Sequence, residues 1–244
     1  MTGGCATMMP GRIDRVQPQS EQPLAGNVYM LRGWVGIFSY GINHLGEELD
    51  QAGVRVTVYQ DDQWKTLANM IERKYRSARH PEPLVLIGHS FGADDVLRIS
   101  RQLAQAGVKV DLVITLDPVS PPEVPAGVKR CYNLYQSNGV WDKVPMFRGV
   151  PLKLAAGSLT QLQNADVRKD RLDLLEPGMN HFNIEKKAGI HAEVLRQVLA
   201  VCPAREAWAE AHGSPPSGSM TASGAGAAAA RQSIGHTASY KPTD

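Results

Sequence analysis

The stretch "LIGHSFGAD" (86–94) places a serine between two glycines. Ser90 follows an apolar run and precedes a helical one, and Gly88 and Gly92 weaken whatever element contains them. Such a combination indicates a sharp bend, where a Cβ two residues before or after the serine would collide with neighbouring backbone. The pattern G-x-S-x-G between a strand and a helix therefore predicts a Ser90 hydroxyl at the top of the sheet, near the free N–H groups of the helix.

A serine hydroxyl becomes a strong nucleophile when an oriented histidine removes its proton. Seven histidines compete for this role. Most stand in polar loops, at helix starts or in the C-terminal tail, and His89, directly before the serine, is expected to point elsewhere. His181 remains, in a loop before the final helix, and is the predicted base. Its structural alternative is a loop histidine that packs beside Phe182.

Two aspartates are candidates for orienting the imidazole. Asp117, in "VITLDPVSPP", leaves an apolar strand directly and is followed by a proline, so it is expected to be held rigidly. Asp142, in "SNGVWDKVP", follows a loop rich in Ser, Asn and Gly and would be held less firmly. We favour Asp117 and keep Asp142 as the alternative acid. Three further aspartates stand among Arg and Lys residues and are expected on the solvated surface: Asp166, Asp170 and Asp173.

On these motifs, residues 27 to 202 resemble the α/β-hydrolase superfamily, in its small bacterial esterase and lipase-like branch. "LDP" at Asp117 is similar to the pancreatic-lipase placement of the acid, whereas the commoner position in the superfamily points to Asp142. The resemblance implies an oxyanion hole formed by the backbone N–H groups of Phe91 and Trp34. The second donor lies in "LRGWVG", where Arg32 stands in place of the more common histidine.

The resemblance implies a serine hydrolase that cleaves carboxylic ester or thioester bonds through an acyl-enzyme intermediate, without a cofactor or a metal. The same side chains would serve an acyltransferase, and a non-catalytic binding module that retained the fold is a further alternative. The expected partner is a small-molecule acyl ester or thioester.

The elements that must position these residues alternate along the chain. Apolar, β-branched runs predict five strands, at 27–32, 54–59, 83–89, 110–116 and 128–135. Amphipathic patterns predict four helices, near 42–52, 64–79, 91–107 and 191–202. This alternation predicts an α/β fold with a mainly parallel sheet of five to six strands, helices on both faces and little or no cap. The stretch 141–180 is the one long insertion and is expected to cover part of the pocket.

Composition sets the remaining expectations. The chain has 244 residues, 43% of them hydrophobic and 20% charged, which predicts a globular domain at 27–202 between a disordered leader (1–26) and a low-complexity tail (203–244). A net charge of +2 gives no reason to expect nucleic acid, and no apolar run is long enough to predict a transmembrane segment. "MTGGCAT" lacks an export signal and favours the cytoplasm, while "GGC" keeps a lipoprotein or exported form as the alternative if the start is truncated.

Overall fold

The computed structural model describes residues 23–33, 40–139, 144 and 149–213. Within these ranges six strands form one sheet: β1 (Asn27–Leu31), β2 (Arg55–Tyr59), β3 (Leu84–His89), β4 (Val110–Leu116), β5 (Val128–Tyr135) and β6 (Gln161–Asp166). Five α-helices accompany it in the same ranges: α1 (Gly41–Gln51), α2 (Trp64–Ser77), α3 (Phe91–Gln105), α4 (Ala188–Leu199) and α5 (Arg205–Ala211).

All neighbouring strands are parallel, in the order β2-β1-β3-β4-β5-β6. β1 is the second strand from one edge of the sheet; the chain moves from it to that edge at β2, and returns past β1 to build the other side. The direction of winding therefore reverses between β1 and β3. In open parallel sheets, ligands bind beyond the carboxyl ends of the strands at such a reversal. The predicted α/β class and parallel sheet are confirmed.

The sheet separates two hydrophobic cores. On one face, apolar side chains of α1 and α4 are buried against the sheet: Ile42, Leu45, Leu49, Ile190, Val194 and Val198. On the other face, α2 and α3 supply the corresponding buried residues: Leu67, Ile71, Tyr75, Val96, Leu97 and Leu103. The prediction of helices on both faces is therefore confirmed. Burial of these two apolar surfaces fixes the sheet and the carboxyl ends of its strands.

One part of the predicted insertion is a strand. β6 pairs in register with β5, from Arg130 opposite Gln161 to Tyr135 opposite Asp166, so this part extends the sheet. Asp166 is buried, which makes the prediction of a solvated side chain wrong. Its carboxylate accepts the N–H groups of Arg168 and Ser137, and this closes the turn after β6.

The described chain continues past residue 202, where sequence places the end of the domain. Arg205, at the start of α5, donates to the carbonyl oxygen of Leu24 at 2.7 Å and to the carboxylate of Glu82 at 2.6 Å. These bonds attach α5 to the start of β1 and to the loop before β3. None of the helices in the described ranges is long and apolar enough to cross a membrane.

Candidate active site

Ser90 occupies the sharp turn between β3 and α3. Its backbone has φ 57° and ψ −123°, a combination that L-residues rarely adopt and that stores strain. A Cβ on Gly88 would lie 2.2 Å from the carbonyl oxygen of Gly92, and a Cβ on Gly92 would lie 2.4 Å from that of Arg32. Both positions therefore exclude any side chain, as the G-x-S-x-G pattern predicts. The bend leaves Ser90 at the carboxyl end of the central strand.

The structure brings His181 to this serine from 91 residues away, with Ser90 Oγ 2.9 Å from His181 Nε2. Both residues are buried. His181 lies between β6 and α4, in a turn that the side chain of Asn180 braces by accepting the N–H of Phe182 at 2.9 Å. For the Ser90 hydroxyl to donate to Nε2, a neutral imidazole must carry its proton on Nδ1. That arrangement is the one in which the histidine can accept the serine proton.

Asp117 follows β4, the strand beside β3, and faces the other side of the imidazole. Its Oδ2 lies 3.6 Å from His181 Nδ1, too long for a hydrogen bond, and Nδ1 has no hydrogen-bond partner in the described part of the chain. Gln136 holds the Asp117 carboxylate, donating its backbone N–H to Oδ1 at 2.7 Å and its side-chain amide to Oδ2 at 2.9 Å. Asp117 and His181 are therefore neighbours without a hydrogen bond between them in this structure.

Asp94, on the first turn of α3, does more than complement the helix terminus. It is buried, and its carboxylate accepts the N–H groups of Val119 at 3.0 Å and Ser120 at 2.9 Å, in the loop after Asp117. Burial raises the pKa of Asp94 to about 6, although the N–H donors from Ser120 and Val119 oppose the shift. Asp94 thus ties the helix of the candidate nucleophile to the loop of the candidate acid.

Two buried histidines have partners that sequence does not reveal. His89, expected to point elsewhere, has its Nε2 2.9 Å from the carbonyl oxygen of His181. His191, on α4, has its Nε2 2.7 Å from the carbonyl oxygen of Glu185 and its Nδ1 3.1 Å from the carboxylate of Glu48. These three bonds join residues that are far apart in sequence or on different elements, so no local pattern signals them.

Of the two candidate donors of the oxyanion hole, Phe91 lies within the described residues. Phe91 is the first residue of α3 and directly follows Ser90 in the chain, so its N–H has no intrahelical acceptor. Trp34, the predicted second donor, and Asp142, the alternative acid, lie outside the described residues. Gly33 is described and buried, and the β1 register places Leu31 opposite Gly88. Among the described residues, no three His, Cys, Asp or Glu side chains cluster in a way that could hold a metal ion.

The parallel strand order, together with a serine elbow after the central strand, defines an α/β-hydrolase fold. No family model matches the chain. A curated relative, indigoidine synthase of Streptomyces lavendulae, is 33% identical over 107 residues, which cover 43% of this chain. The matched region spans 7% of the length of that relative.

The solved structures that this chain is similar to are distant from it in sequence, and their TM-scores lie below 0.5. An α/β serine hydrolase without a lid from Xanthomonas campestris is 14% identical, with 78% of this chain and 88% of that chain covered and a TM-score of 0.45. The NocB thioesterase domain from the nocardicin cluster is 15% identical, with 72% and 94% covered and a TM-score of 0.42. The type II thioesterase BorB from the borrelidin cluster is 12% identical, with 78% and 97% covered and a TM-score of 0.40. At these scores the likeness decides nothing about substrate.

Proposed function

We propose that this protein is a serine hydrolase that cleaves carboxylic ester or thioester bonds through an acyl-enzyme intermediate. The observation that carries the proposal is the 2.9 Å separation of Ser90 Oγ and His181 Nε2 at the carboxyl ends of the strands. A serine held at a strained elbow, with an imidazole nitrogen in hydrogen-bond range, is the arrangement that activates a hydroxyl for acyl transfer.

In the proposed reaction, Ser90 Oγ bonds to the carbonyl carbon of the substrate while its proton passes to His181 Nε2. When the tetrahedral intermediate collapses, the bond to the leaving alcohol or thiol breaks, and His181 gives that proton to the leaving group. Water then attacks the acyl-serine and transfers a proton to His181. The carboxylic acid is released as the proton returns to Ser90 Oγ.

Two further roles follow from the proposal. Asp117 stabilises the imidazolium that forms in each half-reaction, and the 3.6 Å separation in the free protein shortens as charge develops on the ring. The N–H of Phe91 donates to the oxyanion of the tetrahedral intermediate, where one such donor lowers the barrier by about 3 kcal/mol. Trp34 is proposed as the second donor and Asp142 stays the alternative acid.

A fluorophosphonate probe tests the proposal without knowledge of the natural substrate, because it reacts covalently with an activated serine. We expect stoichiometric labelling of the wild-type protein, no labelling of Ser90→Ala, and a rate at least about 1,000-fold lower for His181→Ala. Hydrolysis of 4-nitrophenyl acetate and of an acyl thioester, followed in parallel, separates the two bond classes.

Ser100→Ala is the matched control for the serine substitution. Ser100 is a buried serine of α3, the helix that begins after Ser90, and donates to the carbonyl oxygen of Val96 at 2.7 Å. Its variant should keep the wild-type labelling stoichiometry. A folded wild-type protein that resists the probe, or a Ser90→Ala variant that is still labelled, would show that the proposed chemistry is wrong.

A further inference from the structure

His89 shares its backbone segment with the candidate nucleophile and its hydrogen bond with the candidate base. The residue ends β3, immediately before Ser90, and its side chain is buried. Its Nε2 lies 2.9 Å from the main-chain oxygen of His181. A carbonyl oxygen can only accept, so Nε2 carries the proton and donates it. His89 and Ser90, adjacent in the chain, therefore contact the backbone and the side chain of His181 respectively.

The donor keeps its proton throughout the neutral pH range. Burial, and after it the adjacent His181, lowers the pKa of His89 from 6.5 to about 3, so the ring is neutral. The Glu185 carboxylate lies 3.9 Å from the same Nε2, beyond hydrogen-bond range, and the His181 ring centre lies 5.4 Å from that of His89. The His181 carbonyl is therefore the acceptor of the Nε2 proton in this structure.

The turn that carries His181 depends on contacts from outside itself. Its internal bonds join Asn180 and Asn183, with the N–H of Asn180 2.8 Å from Asn183 Oδ1, and these set only the shape of the turn. They do not fix where the turn stands relative to β3. Met179 and Ile184 anchor the flanks of the turn in the core, and Arg168 donates to the carbonyl oxygen of Met179 at 3.0 Å. The bond from His89 adds a direct connection, because it joins the backbone of residue 181 itself to the strand that ends at the elbow.

We propose that His89 is a positioning residue that holds the backbone of His181 at the distance from which its Nε2 reaches the Ser90 hydroxyl. The inference rests on the proposed hydrolase function. A movement of about 1 Å in a catalytic group can cost about 100-fold in rate, so an anchor one residue from the nucleophile limits the error that matters most. The competing interpretation is a buried histidine that serves stability alone.

Four substitutions separate these interpretations. His89→Met fills a similar volume without a donor, and His89→Asn carries an amide too short to reach the His181 carbonyl. His89→Gln places an amide nitrogen near the original Nε2 position. His191→Met is the matched control, because His191 makes the same kind of bond to the carbonyl oxygen of Glu185, four residues after His181 in the chain.

Each variant is measured for kcat and KM on 4-nitrophenyl acetate, for the second-order rate of fluorophosphonate labelling, and for its melting temperature. We expect His89→Met and His89→Asn to lower kcat and the labelling rate about tenfold or more, with KM within about twofold. His89→Gln should recover most of both rates. His191→Met should lower the melting temperature with both rates within about twofold of wild type.

The positioning role is overturned if folded His89→Met or His89→Asn is labelled at the wild-type rate, or if His89→Gln is no faster than His89→Asn. If His89→Met does not fold, the comparison of the two amide variants carries the test. If the positioning role is overturned in this way while the wild-type protein is still labelled at Ser90, the proposed hydrolase function is not affected. Failure of the wild type itself to react would instead remove the function on which the inference rests.

Discussion

The carboxylate of Asp117 is fixed by its neighbours. Gln136 donates to both of its oxygens, at 2.7 and 2.9 Å. Gly149 packs against the same group, and Asp117 itself has φ 47°, in the left-handed region that aspartate and asparagine enter more readily than most residues. The position of the Asp117 carboxylate is thus fixed by the Gln136 amide, by Gly149 and by the backbone conformation of Asp117 itself. Substitution of Gln136 or Gly149 would remove one of these constraints at a time.

Substitution of Gly149 tests whether the position of the Asp117 carboxylate matters for turnover. A Cβ on Gly149 would lie 2.1 Å from Asp117 Oδ1, so Gly149→Ala must displace the carboxylate. We expect kcat for ester hydrolysis to fall about 10- to 100-fold. Gly189→Ala is the control, because a Cβ there meets nothing closer than 3.7 Å, and it should keep the wild-type kcat. Equal kcat values for the two variants would mean that the position of Asp117 is irrelevant to turnover.

Between elements, the connection that matters most runs from α3 to the loop after β4. Asp94 of α3 accepts two N–H groups of that loop, from Val119 and Ser120. In an Asp94→Asn variant, the amide that replaces the carboxylate can accept only one of these two N–H groups, because its nitrogen donates and does not accept. The loop that begins at Asp117 would lose one of its two attachments to the helix that begins after Ser90.

We therefore expect Asp94→Asn to lower the free energy of unfolding by about 1 kcal/mol and kcat about fivefold. Urea unfolding and steady-state kinetics of the purified variant measure the two effects. Asp95→Asn provides the comparison, since the neighbouring Asp95 pairs with Arg98 within its own helix and contacts neither loop residue. If both variants lose the same activity, the connection through Asp94 has no special part in the site.

The strands that sequence predicted correctly are those with apolar or β-branched runs, and β6 was missed because "QLQNAD" has none. β6 pairs with β5 as a strand, and side-chain amides connect the two strands further. Thr115, Asn133 and Asn164 stand at matching register positions on β4, β5 and β6 and are joined by hydrogen bonds of 2.9 and 2.8 Å. Such pairing depends on which strands become neighbours, and periodicity within one segment carries no information about that.

The candidate site likewise has features that a local sequence pattern predicts and features that depend on tertiary contacts. The elbow around Ser90 is a local pattern, because its glycines stand at fixed spacings from the serine, and Asp117 follows directly from its strand. The hydrogen bonds of His89, Asp94 and Gln136 are tertiary, between segments 19 to 92 residues apart. A buried polar residue of this kind resembles any other until its partner is known.

At the scale of the whole molecule, apolar cores fill both faces of the sheet, and ionisable groups are buried at its carboxyl edge. Glu185 is the extreme case: its side chain is fully buried, and neither carboxylate oxygen has a hydrogen-bond partner in the described part of the chain. Burial raises the pKa of Glu185 to about 8, although the backbone of Glu185 itself, the charge of Lys186 and the backbone of Gly41 oppose the shift; the negative charge of Asp117 adds to it. The folded protein therefore holds this carboxyl protonated at neutral pH.

This buried acid makes stability depend on pH. The pKa of Glu185 is higher in the folded protein than its ordinary value of 4.5, so the folded state binds the proton more tightly than the unfolded chain does. The resulting stabilisation is complete below about pH 4.5 and is lost as the pH rises through 8. We expect the free energy of unfolding of wild type to fall, relative to that of Glu185→Gln, by a few kcal/mol between pH 5 and 9.

Urea unfolding of both proteins at pH 5, 7 and 9 measures this difference, and Glu193→Gln calibrates it. Burial would raise the pKa of Glu193, but hydrogen bonds from Arg196, Gln197 and Arg171 outweigh it and bring the pKa to about 2. The stability that Glu193 contributes is therefore present above about pH 4.5 and lost only as the pH falls through 2, so its variant should differ from wild type by the same amount at all three pH values. If the difference in free energy of unfolding between wild type and Glu185→Gln is also the same at all three pH values, Glu185 is ionised in the folded protein. Water or a local rearrangement would then solvate this carboxylate, although the packing at the carboxyl edge of the sheet buries it.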